Sequence, residues 1–166
     1  DMPLGMMRAL FKPEFTWRYM SMPEPHLNDR RIMLPRGRVL GGSSSINGMF
    51  YMRGHSTDFD GWAQHGCSGW SYDEVLPYFK RMETHWSDDT RWHGKDGPLH
   101  VVPVQTEGRL HQPLMETAEA AGFSTSENLN AEQEEGFARG ELTIDANGRR
   151  ASTARAYLDP AMSRPN

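Results

Sequence analysis

Cysteine is nearly missing from this chain of 166 residues, where Cys67 stands alone. A lone thiol excludes an internal disulfide framework and any cysteine-rich metal site, and it points to a reducing compartment. A dominant charge of one sign is missing too. The 18 Lys and Arg against 22 Asp and Glu leave a formal net charge of −4, and no long basic run occurs, so nothing suggests a nucleic-acid surface. No apolar run approaches the ~18 residues that span a bilayer, and no signal peptide is visible. Familiar catalytic and nucleotide-binding spacings are likewise absent. There is no G-x-G-x-x-G, no P-loop lysine after a glycine run, no G-x-S-x-G around Ser43–Ser45, and no H-E-x-x-H among the seven histidines. No His/Cys/Asp cluster has metal-ligand spacing, so no metal is expected.

What the chain has in quantity is turn-forming residues, 16 Gly and 11 Pro, which make much of it loop. One stretch stands out: Gly37-Arg38-Val39-Leu40-Gly41-Gly42-Ser43-Ser44-Ser45-Ile46-Asn47-Gly48. Paired glycines turn tightly and let another molecule approach the backbone. Serines after them favour a helix start, whose free N–H groups and partial positive charge attract phosphates. A flexible linker has similar composition, but Val39, Leu40, Ile46, Met49 and Phe50 bracket the run closely and need a core. The stretch therefore reads as a phosphate-type cradle, followed by a short helix ending near Arg53-Gly54.

Elsewhere the patterning is local. Residues 1–36 hold Pro3, Pro13, Pro23, Pro25 and Pro35, too many for a long helix, and Phe15–Tyr19 alternates like a strand. Residues 58–69 suggest a compact loop with a helical turn. Ser71-Tyr72-Asp73-Glu74 is a capping box, and Val75, Leu76, Phe79 and Met82 follow at helical spacing. Pro77 should kink or split that helix. Trp62, Trp70 and Tyr72 are candidates for a pocket wall suited to a quaternary ammonium or an apolar alcohol, or for ordinary core. Residues 84–100 read as polar loop, Leu99–Val104 as strand, and Leu110, Leu114, Ala118 and Ala121 as a helical stripe stopped by Gly122. Residues 128–135 read as a solvated acidic face, Leu142 and Ile144 alternate before the Asn147-Gly148 turn, and Ser152 can cap a last helix through Leu158. The chain begins at Asp1 rather than Met and stops at Arg164-Pro165-Asn166 without a finishing element, so it is expected to be a piece of something larger.

The glycine-serine stretch, continued through Tyr51, Gly54 and Asp60, resembles the first signature of the glucose–methanol–choline (GMC) oxidoreductases. Pro23-Glu24-Pro25, Gly69-Trp70-Ser71-Tyr72, Leu76-Pro77-Tyr78-Phe79, His93-Gly94, Gly97-Pro98-Leu99, Gly148-Arg149 with Ser152, Ala156-Tyr157-Leu158 and Arg164-Pro165-Asn166 extend the resemblance over essentially the whole chain. It is greatest to the choline-dehydrogenase-like and FAD-dependent alcohol dehydrogenase branch. The resemblance implies a mixed, loop-rich α/β fold: the middle of a Rossmann-like FAD-binding domain and the beginning of an antiparallel-sheet substrate domain. Residues 1–84 and 146–166 would belong to the FAD-binding domain and 85–145 to the substrate domain.

The implied activity is oxidation of a small-molecule alcohol to an aldehyde, with hydride transfer to flavin N5. Arg38, Leu40, Gly41, Gly42 and Ser43 would approach the FAD diphosphate, and Asn47, Gly48 and Met49 would lie against the flavin. Some relatives attach FAD through a histidine at the position of Ile46, so non-covalent FAD is expected here. The family's catalytic histidine falls beyond Asn166, which leaves no catalytic residue in this chain and makes the remainder of the polypeptide its partner. Alternatives are a GMC-fold lyase of the hydroxynitrile-lyase kind, or a truncated, non-catalytic chain. A cytoplasmic location, or one peripheral to a membrane, completes the expectation.

Overall fold

The computed structural model describes residues 5–105, 110–132 and 135–165. Pro3, Asn166 and the Gln133–Glu134 part of the acidic loop lie outside the described residues. The fold is mixed α/β, and the chain divides into two compact units, residues 1–49 with 146–166, and residues 50–145.

In the first unit a short helix α1 (Met6–Ala9) precedes an antiparallel hairpin of β1 (Thr16–Met20) and β2 (Met33–Gly37), in register Thr16 to Gly37 and Met20 to Met33. Only Thr16 of β1 is buried. Alternation puts Trp17 and Tyr19 on one face, where their rings stack at 6.4 Å. After β2 comes a 3-10 turn, Gly42–Ser45, and no helix follows before Arg53. The short helix expected over that stretch is therefore replaced by one tight turn and extended chain. Left-handed backbone at Met49, φ 63°, is incompatible with helix continuation. The C-terminal part of the unit forms a π-turn (Ala154–Leu158) running into α5 (Asp159–Ala161), with Ala156 N donating to Ser152 O at 2.8 Å.

The second unit is built on two helices and short strands. α2 (Ser56–Gln64) is a full helix where the sequence suggested only a helical turn. Its cap is His55, whose Nδ1 accepts from Thr57 N while its own N–H reaches Asp58 Oδ2. Histidine is not among the usual capping residues, so this start carries no sequence signal. α3 (Tyr72–Met82) begins at the expected box, with Ser71 N and Oγ donating to Glu74 Oε2 at 3.0 and 2.6 Å. It runs unbroken through Pro77 rather than splitting. Pro77 is at the sixth helical position, so the hydrogen bond it deletes would have reached Asp73 in the first turn. Packing of Tyr72 and Val75 with Phe59, Leu76, Phe79 and Trp92 holds the helix across it.

A mixed three-stranded sheet follows, β3 (Glu83–His85), β4 (Leu99–Pro103) and β7 (Glu141–Leu142), with β3 parallel and β7 antiparallel to β4. The parallel pair is joined by the 86–98 loop, without a helix, and its glycines explain how. A Cβ on Gly94 would strike the Lys80 carbonyl, and one on Gly97 would strike the Met82–Glu83 backbone. Only glycine lets the loop lie this close to the end of α3. The stretch 84–100 is thus not plain polar loop: it begins in a strand and carries two fully buried histidines. The remaining elements are α4 (His111–Ala120) and a parallel pair of β5 (Ser124–Ser126) and β6 (Gly136–Ala138). The helix expected there is present, but its buried face is Met115 and Ala118, while Leu110 and Leu114 of the expected stripe are exposed.

Candidate cofactor-binding site

The glycine-serine turn is held by its own side chains. Gly41 and Gly42 take φ of 83° and 54°, which bends the chain back on itself at little steric cost. Gly42 N donates to Val39 O at 2.8 Å. Ser44 Oγ donates to Gly41 O at 2.5 Å, Ser45 Oγ donates to Leu40 O at 2.7 Å, and Ser43 Oγ accepts from Gly37 N at 3.1 Å. Thr153 closes the far side, its N–H reaching Ser44 Oγ at 2.9 Å and its hydroxyl reaching Gly41 O at 3.2 Å. The expected role of the serines as helix N-caps is therefore corrected. The cap position is Gly41, with no side-chain cap, and the hydroxyls stabilise the turn instead of aiming outward.

The expected site residues divide accordingly. Gly41, Gly42, Ser43, Asn47, Gly48 and Met49 share one continuous turn and its exit. Leu40 projects beside it, 72% exposed. The Arg38 side chain is turned to the hairpin, its guanidinium carbon 4.6 Å from the Trp17 ring centroid, and its backbone N–H donates to Phe15 O at 2.8 Å. Ile46 and Met49 are buried beneath the turn.

The outer face of this turn suits a flat, phosphate-bearing cofactor such as FAD. A Cβ at Gly42 would meet nothing within 4 Å, and one at Gly48 would meet only the end of the Met6 side chain at 3.9 Å. Bare backbone and an exposed leucine on a self-satisfied turn leave room for a flat ring to approach. A cleft of about 430 Å3 adjoins, lined by Leu40, Ser45, Arg149, Arg155 and Asp159 among others.

The residue that sequence reasoning missed here is Arg150. It is buried, and its Nη1 lies 2.8 Å from both the backbone and the side-chain oxygen of Asn47 and 3.2 Å from Ser44 O. Asn47 Oδ1 in turn accepts from Met49 N at 3.0 Å. No pattern in the sequence couples positions a hundred residues apart.

A second polar centre, also missed, lies in the other unit. Glu83 is fully buried and accepts from Tyr51 OH at 2.6 Å, Arg53 Nη2 at 2.7 Å, His93 Nδ1 at 3.0 Å and Gly94 N at 3.2 Å. Burial alone would raise its pKa, but the hydrogen bonds from His93 and Tyr51 and the charge of Arg53 outweigh it and hold the carboxyl at about 2. The same environment raises the Tyr51 hydroxyl, through burial first and then the Glu83 charge.

The rings of His85 and His93 stack at 3.5 Å, 7° from parallel. His85 Nδ1 accepts from Ser87 N at 3.1 Å, which puts its proton on Nε2, 3.0 Å from Glu141 Oε1. Glu141 also accepts from Trp86 Nε1 and from Asn130 Nδ2, and Asn130 Oδ1 takes the Arg53 N–H at 2.7 Å. Asn130 is thus a buried strut, correcting the reading of 128–135 as a solvated face. His93 serves this network, and among the described residues no three such groups are placed for a metal. Of the candidate pocket aromatics, Tyr72 is core, while Trp70 lines an open apolar cleft of about 440 Å3 with Phe59, Val75, Tyr78 and Phe79. Trp62 packs edge-on against Phe59 and Trp70.

The chain belongs to the GMC oxidoreductase family, whose model matches residues 7–166. Over its full length it is 49% identical to an oxygen-dependent choline dehydrogenase of Sinorhizobium fredii and 50% identical to one of Rhizobium etli, and it spans 30% of the length of each. Among solved structures it is similar to pyridoxine 4-oxidase from Mesorbium loti, with TM-score 0.83 and 28% identity over 97% of this chain and 32% of that one. It is also similar to an FAD-dependent oxidoreductase from Chaetomium thermophilum, with TM-score 0.81 and 29% identity over 93% of this chain and 29% of that one.

Proposed function

We propose that the complete polypeptide containing this chain binds FAD without a covalent link and oxidises the CH–OH group of a choline-type alcohol to an aldehyde. The observation that carries this reading is the open glycine turn in a chain half identical to choline dehydrogenases. FAD, when bound, supplies the hydride acceptor. The chain's own residues bind and orient it. Arg38, Leu40, Gly41, Gly42 and Ser43 approach the diphosphate and its neighbourhood, with Ser43 acting through its N–H because its hydroxyl already serves Gly37. Asn47, Gly48 and the Met49 backbone face the flavin, with the Met49 side chain buried, and Gly48 offers no Cβ to hold the ring away. Ile46 has no nucleophilic atom, which favours non-covalent attachment.

In this reading residues 1–84 and 146–166 belong to the FAD-binding domain and 85–145 to the substrate domain. The changeover of compact units between residues 145 and 146 supports the second boundary; the first changeover falls between residues 49 and 50. No residue of this chain is assigned the role of proton acceptor, and the remainder of the polypeptide supplies it. Among the described residues no helix is long and apolar enough to cross a membrane. We place the protein in the cytoplasm, free or peripheral to a membrane.

The test is anaerobic mixing of the complete, flavin-loaded protein with choline and, separately, with an uncharged primary alcohol. Bleaching of the visible flavin band by choline supports the proposal, and bleaching only by the uncharged alcohol overturns the choline assignment. An unchanged spectrum with every alcohol moves the reading to a lyase that keeps FAD without redox turnover, or to a non-catalytic chain. Release of all flavin into the supernatant on acid precipitation is expected, and flavin retained on the polypeptide overturns non-covalent binding.

A further inference from the structure

Asn47, Gly48 and Met49 hold a conformation that their own sequence does not favour. Met49 is a non-glycine residue with φ of 63°, a strained state that persists only where surrounding structure imposes it. The imposing contacts are visible. Asn47 Oδ1 accepts from Met49 N at 3.0 Å, bridging the residue on either side of Gly48. That same oxygen, with the Asn47 carbonyl, lies 2.8 Å from Arg150 Nη1. Ser44 O, in the turn itself, is 3.2 Å from the same nitrogen. Arg150 is buried, only 4% exposed. A guanidinium placed this deep against carbonyl oxygens, with its pKa lowered by burial, is costly to desolvate. Its Nη1 alone reaches three oxygens, one from the 3-10 turn and two from the residue that precedes Gly48.

We propose that Arg150 is a positioning residue for the flavin face, acting through Asn47 to set how the Asn47-Gly48-Met49 backbone meets the isoalloxazine ring. The proposal rests on the reading that this segment faces FAD. Arg150 does not touch the cofactor in this account. It holds the Asn47 amide in the one orientation that satisfies both the arginine and the Met49 N–H, and so fixes the peptide planes on either side of Gly48. Lysine at this position keeps the charge but has a single compact ammonium on a flexible stem, so it reproduces the clamp only in part.

The experiment uses the complete polypeptide with Arg150→Met and Arg150→Lys. Three quantities are read: visible circular dichroism of bound flavin, FAD affinity by reconstitution of the apoprotein, and thermal unfolding of the apoprotein. The expected result for Arg150→Met is an altered flavin dichroism with FAD binding weakened roughly tenfold or more, as for loss of hydrogen bonds to a charged group. Arg150→Lys should fall between it and the wild type. Where Arg150→Met does not fold, the lysine variant alone decides: a shifted flavin dichroism supports the proposal and a wild-type one overturns it. Unchanged dichroism and affinity in a folded Arg150→Met protein overturn the proposal, including when its unfolding temperature drops, because that outcome makes Arg150 a stability element only. Absence of flavin from the wild-type complete protein is a separate result, which overturns the FAD reading itself.

Discussion

The two polar centres of this chain solve opposite problems. The glycine-serine turn of the first unit is held mostly by neutral hydroxyl–carbonyl bonds plus one arginine, and its outer face is bare backbone. The Glu83 centre of the second unit is ionised, sealed from water, and has its carboxylate oxygens occupied by donors from Tyr51, Arg53, His93 and Gly94. A site that must receive a ligand keeps its side chains turned inward and its surface open. A centre that must hold loops together uses charge, because buried charge-assisted bonds tolerate few alternatives in partner or geometry. The perturbed carboxyl therefore marks architecture, while the candidate binding surface is bare backbone.

That contrast can be broken most forcefully at Glu83. Glu83→Gln leaves Arg53 buried without its counter-ion, and the expected loss is about 3–5 kcal/mol of stability. Denaturant unfolding of the complete protein measures it, and a loss under about 1 kcal/mol would show that the network is dispensable. A related effect is acid sensitivity. The carboxyl has its folded pKa depressed from 4.5 to about 2, so its contribution is fully present above the unfolded value and is lost as pH falls from about 4.5 toward 2. The linkage amounts to roughly 3 kcal/mol. Stability curves from pH 6 to pH 2 should show this decline in the wild type and its removal in Glu83→Gln.

The first unit should respond more mildly, and to backbone rather than charge. Gly41→Ala places a Cβ at φ 83° against Ser45 Oγ and Ala154. The expected cost is about 1–3 kcal/mol, with weaker FAD binding in the complete protein. Hydrogen exchange should show faster opening around residues 37–49 and unchanged protection at His85 and Val101. Equal loss of protection in both regions would dissolve the distinction drawn between them. Smallest is Ser71→Ala, which removes one side of the α3 capping box and should cost about 1 kcal/mol. Thermal unfolding reads it directly, and an unchanged midpoint would show that packing of Tyr72 and Val75 alone fixes the helix start.

Much of this was legible in the residues because it is local. The β1 strand, the Ser71–Glu74 box, the α4 helix and the paired glycines each depend on residues within a few positions along the chain. Where the sequence misled, a distant partner decided. Pro77 remains helical because the aromatic residues of α2 and the 86–98 loop pack across its helix. Of the three serines, Ser43 and Ser45 bond within their own turn, and Ser44 is also claimed by Thr153, which returns to it from beyond residue 145. Asn130 looked solvated and is buried because Arg53 and Glu141 claim its amide.

Composition and turn chemistry by themselves indicated a loop-rich chain with a tight glycine-serine turn, and the resemblance of that turn and its flanks pointed to the GMC family and its α/β fold. Only the tertiary structure decided which polar groups became structural. The Glu83 network gathers Tyr51, Arg53, His85, His93, Asn130 and Glu141 from five separated segments, and Arg150 reaches Asn47 across a hundred residues. Hydrogen bonds and ion pairs depend on distances of about 3 Å in space, and separation along the chain carries no trace of them.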